Sequence, residues 1–230
     1  TILAGCSAKA PPAREGSLAL FRFLPSAMPA AFKPHLAAVL PAVLGGLADD
    51  NDGVREAALL AARTAVDLYA RDSLDLLLPA VEAGAAAASW RIRQSSVELL
   101  GDLLFKVVGT SGRARADGAG SDDEGASTDD HGRAITAALG ADRRAEVLGL
   151  LYLCRSDVAG GVRSAALHVW KTVVANTPRT VGEVMPALMA ACISALASSS
   201  DDRASSAGRC LGELVRKLGE RALRQVAPIL

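Results

Sequence analysis

Apolar residues return along this chain at alternating spacings of four and three, the period of one face of an α-helix. Val54, Ala58, Ala61, Ala65 and Leu68 follow that spacing, and so do Val162, Ala166, Val169 and Val173. These stripes belong to a unit that recurs about every forty residues. Each unit has an apolar helix holding a proline, a short polar turn, and a second helix that opens on an aliphatic residue followed by arginine. The second helices open as Val54-Arg55-Glu-Ala-Ala, Ile92-Arg93-Gln-Ser-Ser and Val162-Arg163-Ser-Ala-Ala, with a degenerate copy at Asp202-Arg203-Ala-Ser-Ser. The first helices carry Leu40-Pro41, Leu78-Pro79, Met185-Pro186 and Ala227-Pro228.

Pro41 and Pro79 lie 38 residues apart and Pro186 and Pro228 lie 42 apart, whereas Pro79 to Pro186 is 107 residues. That longer interval is two units plus an interruption of 25 residues, so one unit without the proline is hidden in it. Its helices are expected near Arg143–Leu153 and from about Val158 to Ala175. A lone helical hairpin leaves its second apolar face bare, so units must stack, with small alanines letting paired helices approach closely. The predicted fold class is all-α, a solenoid of stacked helical hairpins resembling HEAT, armadillo and TOG arrays. Residues 1–109 are expected to hold a partial unit and two full ones, and 135–230 two more and the start of a fifth. Between them, 110–134 reads as a disordered loop: Gly, Ser and Ala dominate, acids outnumber arginines, and almost no large apolar side chain offsets the entropy of ordering. Ser121-Asp-Asp-Glu124 has the form of an acidophilic kinase site, although a solvated spacer is the plainer reading. The chain opens at Thr1 and stops at Leu230 within an apolar pattern, which reads as a piece cut from a longer protein.

Polar residues mark the turns. Asp49-Asp50-Asn51-Asp52-Gly53 and Ser156-Asp157 suit helix N-caps. Arg55, Arg93 and Arg163 recur with the period and are expected to form a structural ladder by reaching turn carboxylates of a neighbouring unit. Half of the 230 residues are apolar and only eight are aromatic, which favours helix over strand. Lys plus Arg number 25 and Asp plus Glu 25, so total charge points to no particular partner, and a nucleic-acid or partner contact has to come from a local patch. One such patch is near the chain end, where Arg216, Lys217 and Arg221 are candidate partner contacts beside the diluting acids Glu213 and Glu220.

Candidate chemistry is sparse. Cys6, Cys154, Cys192 and Cys210 are widely spaced and read as buried thiols of a reducing compartment rather than a metal site or disulfide framework. His35 at a helix start, His131 in the loop and His168 within a helix do not converge. The pairs Gly45-Gly46 and Gly160-Gly161 lack the lysine and hydroxyl residue of a phosphate loop. Trp90 and Trp170 read first as packing residues between repeats. The apolar run Met185–Ala197 is too short to cross a bilayer. No catalytic residue, cofactor or metal is expected, and neither a membrane nor DNA is an expected partner.

Longer peptides narrow the reading. Trp90-Arg-Ile-Arg-Gln-Ser-Ser-Val-Glu-Leu-Leu-Gly-Asp-Leu-Leu104, Leu167-His-Val-Trp-Lys171, Ala175-Asn-Thr-Pro-Arg-Thr180 and Leu211-Gly-Glu-Leu-Val-Arg-Lys-Leu-Gly-Glu220 resemble, in order, the large HEAT-repeat general-control translational activators. The resemblance covers nearly the whole chain. It implies a middle segment, in or next to the part similar to the HEAT region of fungal elongation factor 3, of a cytoplasmic scaffold that binds ribosomes and helps activate the initiation factor 2-alpha kinase. It also implies that the kinase is contacted by another region of the parent chain. The alternative on fold alone is a tubulin-binding TOG-type array, but the turns here carry Asp50, Asp52 and Asp157 where such an array would present lysines.

Overall fold

Asparagine side chains cap two of the described helix starts. In the computed structural model, which describes residues 1–109 and 124–219, Asn51 accepts a hydrogen bond from the Val54 amide at 3.2 Å and Asn176 one from the Arg179 amide at 3.0 Å. Among the described residues there is no strand. The chain divides into two units, Thr1–Gly118 and Ala119–Leu230.

The first unit contains α1 (Ile2–Gly5), α2 (Pro11–Ala27), α3 (Pro29–Phe32), a 3-10 turn (Lys33–His35), α4 (Leu36–Gly46), α5 (Asp52–Tyr69), α6 (Leu74–Ala85) and α7 (Trp90–Val108). α2 packs on α5 and α5 on α7 in one layer, while α4 packs on α6 in the other. Leu18, Leu36, Val54, Ala58, Leu77, Leu100 and Leu103 close the core between them. Val54, Ala58, Ala61 and Ala65 are buried as the spacing predicts, but Leu68 is exposed. The buried face passes instead to Val66 and to Tyr69, one turn beyond Ala65, whose hydroxyl donates to the Pro29 carbonyl at 2.9 Å. Pro41 and Pro79 lie inside α4 and α6.

The second unit contains α8 (Glu124–Leu139), α9 (Ala141–Cys154), α10 (Gly160–Val173), α11 (Thr177–Leu196) and α12 (Asp201–Leu218). α9 and α10 are the hairpin whose first helix lacks the proline, and Pro186 lies inside α11. α9 packs on α10 and α11, and α11 on α12. Gly149 makes the α9–α11 approach feasible, because a Cβ there would come within 2.9 Å of the Leu188 amide nitrogen. α11 is long and apolar enough by composition to cross a membrane, longer than the run singled out from sequence. Its apolar face, with Val184, Leu188 and Cys192, is buried in this unit's core.

One boundary needs correction. The loop expected over 110–134 gives way to helix at Glu124, and α8 packs on α9 and α10. His131, expected in a loop, is buried with its Nδ1 3.1 Å from the Thr172 carbonyl oxygen, and Ile135 is buried one turn on. Tertiary packing supplies most of the stability of such a helix, and Gly140, at a φ of 79°, makes the tight turn into α9. The expected disorder of 110–123 and the start of a fifth unit at Val226–Leu230 lie outside the described residues.

Candidate functional site: the turn edge and an arginine-lined pocket

The recurring arginines act on their own turns. Arg55 Nη1 donates to the carbonyls of Asp49 and Asp50 at 2.6 and 3.0 Å, Arg93 Nη1 to Ala87 and Ala88 at 3.1 and 2.6 Å, and Arg163 Nη1 to Asp157 and Val158 at 2.7 and 2.8 Å. In each case the partners lie six and five residues back, so the guanidinium closes the turn that leads into its own helix. Arg55 also pairs with Asp52 of that turn. The shared contact is thus to local backbone, where reach to a neighbouring unit's carboxylate was expected. The reason is geometric: a side chain in the first helical turn faces the carbonyls that the turn leaves without a helical partner.

Sequence reading missed a fourth member. Arg14 Nη1 donates to Ala8 and Lys9 at 2.9 Å each, the same six-and-five pattern. Arg14 stands about one repeat length before Arg55, but Ala13 occupies the place of the aliphatic residue, which hid it. It reaches the next turn as well: its Nε and Nη2 bond the Asp49 carboxylate at 2.6 and 2.8 Å, fork to fork. That guanidinium holds the Asp49 carboxyl below the usual carboxylate range, helped by the Asn51 amide. In the degenerate copy, Arg203 reaches the Ser198 hydroxyl at 3.3 Å.

The basic candidates near the chain end fare unequally. Arg216 is exposed on α12, Lys217 is exposed but paired with Glu213, and Arg221 lies outside the described residues. Trp170 is a packing residue: it is buried, meets Tyr152 edge-on at 5.1 Å and donates from Nε1 to the Thr177 hydroxyl at 2.9 Å. Trp90 is exposed instead, with the Arg91 guanidinium 4.9 Å from its ring centre. Cys154, Cys192 and Cys210 are buried and Cys6 half-buried, and no disulfide joins them. Cys192 on α11 and Cys210 on α12 are both buried, and the neighbouring Cys192 thiol together with burial pushes the Cys210 thiol up. His168 is exposed on α10 and His35 precedes α4, so neither joins His131.

The second unit also carries an open cavity of about 610 Å³, framed by α8, the start of α9, the α10–α11 connection and the start of α11. Arg133, Arg144 and Arg179 line it with a single acid, Glu183. Arg144 is the deep one, its side chain 16% exposed, with Nη1 3.4 Å from Glu183 and a buried Nε that has no hydrogen-bond partner. Arg179 bonds Glu183 from Nε at 3.0 Å, and Arg133 pairs with Asp130. No sequence spacing announced this group, because its members come from elements unrelated by the repeat.

A family model described as the EF3 N-terminal HEAT repeat matches residues 4–107. The chain is 59% identical to Protein ILITYHIA of Arabidopsis thaliana over 94% of its own length and 8% of that protein. It is 45% identical to the Stalled ribosome sensor GCN1 of Homo sapiens over 96% of its length, and 40% identical to the eIF-2-alpha kinase activator GCN1 of Saccharomyces cerevisiae over all of it, again 8% of each relative. The chain is a HEAT-repeat segment of the GCN1 family. It spans 8% of the length of these GCN1 relatives, and the likeness runs through both units and the stretch between them. The tubulin-binding alternative is not favoured by these relatives. A designed armadillo repeat protein overlays with a TM-score of 0.35 at 13% identity, over 93% of this chain and 98% of that one, too low to bear on topology.

Proposed function

We propose that this chain is a non-catalytic scaffold segment of a cytoplasmic, ribosome-associated translational regulator, whose parent protein promotes activation of the initiation factor 2-alpha kinase in amino-acid starvation. The observation that carries the reading is end-to-end identity of 40–45% with proteins named as a stalled ribosome sensor and as an eIF-2-alpha kinase activator. The geometry is compatible with it: turn-closing arginines, buried thiols and scattered histidines build architecture rather than a reacting centre. Direct kinase contact is assigned to another region of the parent.

Co-sedimentation of the purified chain with ribosomes through a sucrose cushion over a salt series tests this. The expected result is pelleting at low salt that declines as salt rises, since contacts to RNA phosphates release counterions. A folded chain that stays in the supernatant at every salt concentration defeats the proposal that this segment meets the ribosome.

A further inference from the structure

We propose that the cavity between α8, α9 and α11 is a phosphate-binding pocket for a single RNA strand, with Arg144 at its floor and Arg133 and Arg179 at its rim. This deepens the ribosome reading above and rests on it for the choice of RNA as ligand. Three guanidinium groups face one carboxylate among the lining residues, in a chain whose total charge is balanced. The floor holds a cation that its acid engages only loosely: Arg144 meets Glu183 through Nη1 alone, at 3.4 Å. The start of α11 lines the same cavity, and the positive end of a helix dipole favours the same charge.

The distribution of the arginines selects the ligand class. Arg133 and Arg179 are 74% and 80% exposed and rise from different helices, so they address separate points around the mouth rather than one atom group. A polyanion with repeating phosphates meets such a spread, one phosphate on Arg144 and its neighbours on the rim. A single phosphorylated side chain would need all three to converge. A volume of about 610 Å³ admits a nucleotide and not only an ion.

The test uses the whole 230-residue chain and a fluorescein-labelled oligouridylate, followed by anisotropy over a sodium chloride series. Arg133→Gln/Arg179→Gln alters two exposed side chains and leaves the core intact, as circular dichroism verifies. Arg22→Gln/Arg71→Gln, on exposed residues of the first unit, is the charge-matched control. The pocket variant is expected to bind about tenfold or more weakly and to lose about 1.4 from the log–log salt slope, roughly 0.7 per phosphate contact, with the control close to the parent. Equal losses in both variants, no change in the pocket variant, or no binding by the parent at low salt overturns the proposal. So does tighter binding of a phosphothreonine peptide than of RNA, lost in the same variant, which would assign the pocket to a protein partner. Ribosome pelleting of the parent with unchanged pelleting and RNA affinity of the variant sinks the pocket alone. If the parent fails to pellet, the broader reading falls and the oligouridylate titration still decides the pocket.

Discussion

Residues of one kind do different work here according to their depth. Arg93 is only 2% exposed and holds two turn carbonyls, whereas Arg163 makes the same two bonds from an exposed position. Losing bonds made by a buried charged donor costs more than losing them where water can replace the donor. Arg93→Met should therefore lower unfolding free energy by about 2–4 kcal/mol and Arg163→Met by about 1 kcal/mol or less, read from urea titrations. Asp49 adds a pH signature. Its folded pKa lies below the usual carboxylate value, so the stabilisation is complete above about pH 4 and fades as pH falls through the lower folded value. Asp49→Asn should unfold at lower urea than the parent at pH 7, with the gap closing as the medium is acidified. A gap that stays constant with pH would mean the Arg14 pair contributes nothing.

At the scale of helices, the sequence was most legible where structure repeats. Aliphatic-arginine openings, prolines and polar turns share one period, and α4 to α7 and α9 to α12 fall where that period puts them. Legibility failed where a helix depends on docking, as in α8, whose buried His131 and Ile135 sit in a stretch poor in apolar residues. It failed again at the cavity, since Arg133, Arg144 and Arg179 are brought together by packing and share no spacing. Gly149 is another residue whose role only packing reveals. The atoms a Cβ would meet are Leu188 and Ala187 backbone, which cannot swing aside. Gly149→Ala should cost about 1–3 kcal/mol and lower amide-exchange protection most in α9 and α11. An unchanged protection pattern would show that the helices separate freely.

For the whole molecule, thiol chemistry gives a reading of the fold that needs no partner. Of four cysteines, three are buried and one half-buried. An aromatic disulfide reagent at neutral pH should label Cys6 ahead of the rest and reach all four only after denaturation. Early labelling of Cys192 or Cys210 would contradict the α11–α12 packing. The arginine clamp has a consequence for how such chains change over generations. Because Arg55, Arg93 and Arg163 tie down their own turns, the closing bond travels with the hairpin that carries it, and a duplicated or deleted hairpin brings its own fastening. The Arg14–Asp49 fork is different, a lock whose two halves belong to successive hairpins. Lineages that reshuffle these repeats should break the order at such forks rarely, and a designer extending the array could copy the clamp freely but would have to keep the fork's neighbours together.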